Sequence, residues 1–111
     1  MEIKIRQVNE ISVVTLIGEI DAKTSTQVQE QVLPLARSDH DILLDMSQVQ
    51  YMSSAGLRLL VILSRTVAAE KRSLILVGLS EALKDTMSVT GFLNFFVVHD
   101  SVDSGLESLK G

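Results

Sequence analysis

Residues 41–65, DILLDMSQVQYMSSAGLRLLVILSR, decide the fold of this chain. Ile42, Leu43 and Leu44 are consecutive apolar residues, the pattern of a strand covered on both faces. Asp45, Ser47, Gln48 and Gln50 are polar and predict that the chain leaves the sheet as a loop after about residue 46. Ser53 and Ser54 stand just before an apolar helical pattern, where capping serines belong. From Ser54 to about Glu70, at about 100° per residue, Leu57, Leu60, Ser64, Val67 and Ala68 form one broad core-facing arc, widened by Leu59 and Leu63. Arg58, Ile62, Arg65 and Ala69 fall on the opposite stripe. An isoleucine between two arginines is either a single exposed apolar residue, which is common, or part of a patch that meets a partner.

Upstream, residues 2–8 alternate, with Ile3 and Ile5 on one side and Lys4 and Arg6 on the other, as in a half-exposed edge strand. Asn9-Glu10 forms a tight turn into a buried, β-branched strand over residues 11–17, ISVVTLI. Residues 18–23, GEIDAK, read as a loop. Thr24 opens a helix in which Gln27 completes a capping-box spacing, Val28, Val32 and Leu35 face the core, and Pro34 forces a kink or an early end.

Downstream, Lys71-Arg72 ends the central helix favourably for its dipole. Leu74–Val77 is a buried strand, Gly78-Leu79 a turn, and Ser80 caps a short helix carrying Leu83 and Met87, with Gly91 just past its end. Phe92, Phe95 and Phe96 lead into a last strand near residues 95–99. Ser101 caps a final helix with Val102, Leu106 and Leu109 inward, which Gly105 weakens.

The order β-β-α-β-α-β-α-β-α predicts one α/β domain over residues 1–111. Its sheet is mixed and mostly parallel, of about five strands, with the first strand antiparallel at the edge and helices packed against it. Connections that follow parallel strands gather at the carboxyl edge of such a sheet. The 18–23 loop, the 45–53 loop and the 78–80 turn should therefore meet there, bringing Asp21 close to Ser54.

Composition narrows the function classes. At 111 residues the chain suits one domain, and 46% hydrophobic residues can build a core. Aromatic residues make up only 4%, with no tryptophan, and the net charge is −4, which argues against a nucleic-acid surface. The absence of cysteine excludes disulfides and thiolate chemistry. MEIKIRQVNE is no signal peptide and no apolar run spans a bilayer, so a cytoplasmic domain without membrane contact is expected. Ser54 lacks the G-x-S-x-G setting of a nucleophile. His40 and His99, even with Asp39, Asp41 and Asp100, lack a metal-site spacing, so neither an enzyme nor a cofactor or metal is expected.

With these residues in view, LLDMSQVQYMSSAGLRLL, preceded by LIGEIDAKTS and followed by SVTGFLNFF, resembles the bacterial anti-sigma-factor antagonists of the single-domain STAS type, over essentially the whole chain. The resemblance implies partner switching. The unphosphorylated protein binds an anti-sigma factor that is also a serine kinase. Phosphorylation at the start of the central helix releases that kinase, and a serine phosphatase resets the switch. The acceptor position matches Ser54. Many relatives carry Asp before it and Ser after it, where this chain has Ser53 and Ala55, so Ser53 is a rival acceptor. By the same resemblance Asp21 is an acidic loop residue near the acceptor, Gly56 lets the partner approach, and Arg58, Ile62 and Arg65 join the partner-binding face. Related domains also serve as nucleotide-responsive interaction modules with a non-sigma output, although no Gly-rich phosphate loop is present here.

Overall fold

A computed structural model describes residues 1–110. The elements are β1 (Glu2–Val8), β2 (Ile11–Ile20), α1 (Ala22–Ala36), β3 (Asp41–Met52), α2 (Ser54–Ala69), β4 (Leu74–Val77), α3 (Glu81–Val89), a 3-10 turn (Phe92–Phe95), β5 (Val97–His99) and α4 (Val102–Ser108). The strands form one five-stranded sheet in the order β1-β2-β3-β4-β5. β1 pairs antiparallel to β2, and β2 through β5 are mutually parallel. The expected fold class and antiparallel edge are both present.

The apolar runs have two destinations because side chains alternate across a strand. Val14, Leu16, Ile42, Leu44, Leu74 and Leu76 point to one face, where Val28 and Val32 of α1, Leu60 and Leu63 of α2, and Leu83 and Met87 of α3 close over them. Ile11, Val13, Leu43, Ile75 and Val77 point to the other, which α4 covers with Val102, Leu106 and Leu109. The central strands are thus buried on both faces, as their continuous apolar runs require.

β2 and β3 run further than the sequence pattern indicates. β2 continues through Gly18, at φ 124°, to Ile20. β3 does not become a loop at Asp45 but stays paired with β2 to Met52, through register shifts between Thr15 and Ile17 and between Gly18 and Ile20. β4 stops at Val77, opposite Asp45. The polar run Ser47, Gln48, Gln50 therefore marks where β3 loses its β4 neighbour, not where it leaves the sheet. Asp45 accepts hydrogen bonds from the Ser47 backbone N–H (3.0 Å) and hydroxyl (2.7 Å), supporting the first irregularity.

Other expectations shift locally. The cap of α1 is Asp21, not Thr24, and Thr24 rather than Gln27 completes its capping box. Pro34 sits in the last turn, and the helix ends at Ala36. Ala68, expected on the core arc of α2, is exposed. Arg72 does not serve the end of α2: it reaches Asp41 (3.4 Å), Glu10 (3.6 Å) and Asp39 (4.0 Å) and donates to the Glu10 carbonyl (3.3 Å), tying three connections together at the amino edge of the sheet. Gly105 is not merely a weak point of α4. It is the close approach of that helix to the sheet, where a Cβ would lie 2.6 Å from Leu43 Cδ1 and 2.9 Å from Val77 Cγ1.

Candidate functional site

The β2–β3 ribbon ends by releasing two helices side by side. Ile20 pairs with Met52, and the Ser53 N–H donates to the Ile20 carbonyl at 2.8 Å. The residues that follow are Asp21, the cap of α1, and Ser53, the cap position of α2. The two helices therefore start together, as the topology predicts, and Asp21 adjoins the serine pair.

The two serines differ in what their hydroxyls meet. Ser53 is half-buried, and its Oγ is buried with no hydrogen-bond partner. Nor does it cap α2, whose first turn holds no acidic residue. Ser54, the first residue of α2, is exposed. The expected serine cap is thus absent, and the first-turn amides of α2 receive no side-chain acceptor.

Asp21 is exposed and already engaged. Its Oδ1 accepts from the Thr24 N–H (2.9 Å), the Lys23 N–H (3.0 Å) and the Thr24 hydroxyl (3.1 Å). These bonds, the Thr24 amide foremost, hold its carboxyl below the ordinary 3.8, so it carries a full negative charge near neutral pH. Asp45, the first residue of the expected 45–53 loop, does not join them: it lies seven strand residues before Met52, roughly 20 Å at the rise of a strand.

Gly56 is buried and faces the core, which corrects the expectation that a partner approaches it. A Cβ there would lie 2.9 Å from Ile20 Cγ2 and collide with the side chain of Met52. Its bareness lets α2 settle on the ribbon. Arg58, Ile62 and Arg65 share the outer stripe of α2 as read from the sequence, with both arginines exposed and Ile62 half-buried. Ile62 and Arg58 line a groove of about 260 Å³ against Ala22, Ser25 and Gln29 of α1. On the other side of α2, a cleft of about 390 Å³ runs from Ser53 and Ser54 past Tyr51 to Leu83 and Thr86 of α3. The sequence reading missed Tyr51, which is 53% exposed, because it counted the residue as loop.

His40 lies with its Nδ1 3.3 Å from Ser38 Oγ and 3.5 Å from Ser12 Oγ, and His99 ends β5. No three His, Asp or Glu side chains converge among the described residues, and no helix there is long and apolar enough to cross a membrane.

Comparison with known proteins gives this geometry its family. The STAS domain model matches residues 2–105. The anti-sigma-B factor antagonist of Bacillus subtilis is 30% identical over 94 residues, covering 85% of this chain and 86% of its own. Among solved structures, an anti-sigma factor antagonist from Mycobacterium paratuberculosis superposes with a TM-score of 0.89 at 21% identity, covering 99% of this chain and 94% of its own. The Bacillus cell fate determinant SpoIIAA in its phosphorylated form does so with a TM-score of 0.76 at 17% identity, covering 98% and 100%. The chain belongs to the STAS domain family, where it stands with the anti-sigma-factor antagonists.

Proposed function

We propose that this protein is a partner-switching antagonist whose switch is the hydroxyl of Ser54. Without phosphate it docks, through the start of α2 and the stripe Arg58–Ile62–Arg65, on an anti-sigma factor that is also a serine kinase, and so frees the sigma factor. The kinase transfers the terminal phosphoryl group of ATP: an Oγ–P bond forms at Ser54, the bond from that phosphorus to ADP breaks, and the hydroxyl proton leaves. A serine phosphatase resets the switch by hydrolysis. The protein itself is a substrate and a binding module, needing no cofactor and touching neither DNA nor membrane.

The observation that carries this reading is the contrast between the serines: Ser54 is exposed at the first position of α2, while the Ser53 hydroxyl is buried. A kinase must reach the oxygen it modifies. A phosphate adds about −1.5 to −2 charge, which the amide-rich end of a helix tolerates. That a relative of the same fold exists in a phosphorylated form supports a domain that stays folded in both states. The cost falls on docking, where a dianion must be desolvated against a partner. A loss of ~3 kcal/mol there weakens binding more than a hundredfold.

The test is phosphate incorporation from labelled ATP by the serine-kinase anti-sigma factor of the same genome. Ser54→Ala should take up none while Ser53→Ala is modified like the parent. Label entering the Ser54→Ala protein would move the acceptor elsewhere.

A further inference from the structure

We propose that Arg58 is the contested cation of this switch: it pairs with a carboxylate of the docked partner while Ser54 is free, and with the phosphate once Ser54 is modified. This rests on the reading of Ser54 as acceptor and adds how the modification is felt and what chemistry the partner presents.

Three observations converge on Arg58. The first is charge. α2 contains Arg58 and Arg65 and no acidic residue, although the chain as a whole carries −4. None of the other three helices has a positive balance: Lys23 offsets Glu30 in α1, Glu81 and Asp85 outweigh Lys84 in α3, and α4 has only Asp103 and Glu107. The second is availability. Arg58 is exposed and forms no ion pair among the described residues, unlike Arg72. Among the described residues it is the only ionisable one lining the α1–α2 groove, so no carboxylate there competes for it. The third is spacing. Ser54 and Arg58 are four residues apart on one helix, the separation at which side chains stack on the same face and opposite charges meet. An arginine fork matches a phosphate as well as it matches a carboxylate.

The partner element follows from the same stripe. Arg58 and Arg65 are seven residues apart, roughly 10 Å along the axis, with Ile62 between them over the groove. The matching surface is an acidic segment with an apolar side chain on Ile62 and a carboxylate toward each arginine. Phosphate on Ser54 then acts twice: it brings a negative charge to an acidic partner and removes the cation that partner needs.

The experiment uses the full chain carrying phosphoserine at position 54, as parent, Arg58→Gln and Arg58→Lys. The phosphate is followed by phosphorus NMR as pH is varied through its second ionisation, near pH 6 for a free phosphoserine. In the parent the titration should lie roughly half a unit or more below that of Arg58→Gln, with Arg58→Lys between them. Superimposed parent and Gln titrations would overturn the pairing. In parallel, affinity for the serine-kinase anti-sigma factor is measured with and without phosphate. Arg58→Gln should weaken the unmodified protein by about tenfold or more and shrink the ratio between the two forms. An unchanged ratio in Arg58→Gln, with the parent still discriminating, overturns the role of Arg58 alone. A parent that binds equally well in both forms overturns the partner-switching reading itself.

Discussion

Ser54 offers its hydroxyl to solvent from the first turn of α2, whereas the Ser53 hydroxyl is enclosed and makes no capping bond, so alanine at each position should have different consequences. Ser53→Ala removes a buried, unpaired polar atom and should leave the urea midpoint equal to the parent or slightly higher. Asp21 behaves oppositely. Its carboxyl is held below 3.8 by the amides at the start of α1, so the ionised form is favoured in the folded state. The stability it contributes is present above 3.8 and is lost as pH falls through that value and below. Asp21→Asn should therefore lower the thermal midpoint at neutral pH and flatten its decline in acid. A parallel decline in both proteins would mean that the charge of Asp21 contributes nothing to stability. The serine pair and Asp21 were legible in the sequence as a cluster, because the order of strands and helices brings their connections to one edge. Which serine is enclosed was not legible: it depends on where the β2–β3 ribbon ends, and Ser53 lies on its last backbone hydrogen bond.

The long ribbon explains both what was readable at the level of elements and what was not. Every α-helix and strand has a signal in the sequence, as a period or an apolar run, but the signal of β3 fades at Asp45, where β4 stops and the residues beyond become mostly polar and exposed. The same contrast separates Gly56 from the outer stripe of α2. Periodicity identified the stripe correctly, yet no periodic pattern reveals that Gly56 is pressed against Ile20 and Met52. Gly56→Ala should destabilise the domain by about 1–3 kcal/mol despite the better helix propensity of alanine, measurable by urea unfolding. Ile62→Glu, half-buried and outward, should keep the unfolding free energy within about 0.5 kcal/mol of the parent and lose binding to the anti-sigma factor. At the far end, Arg72 joins the β1–β2 turn, the approach to β3 and the connection after α2. Arg72→Met should cost about 1–2 kcal/mol, less in high salt, because its partners are partly solvated.

For the whole molecule, the central strands, buried on both faces, form the platform, and the proposed switch lies at its periphery. Most of the core of α2, from Leu59 through Val67, lies beyond the first turn, so a charge on the exposed Ser54 need not reach it. A dianion there should alter what the surface binds and leave the packing of the sheet intact. The most direct measurement is the amide NMR spectrum of the protein phosphorylated on Ser54 beside that of the unmodified protein. Shifts confined to the start of α2, the neighbouring start of α1 and the Arg58 region, with the signals of β2, β3 and β4 beyond the ribbon tip unmoved, are the expected result. Collapse of signal dispersion across the sheet would mean that phosphate acts by unfolding the domain, and would contradict the account.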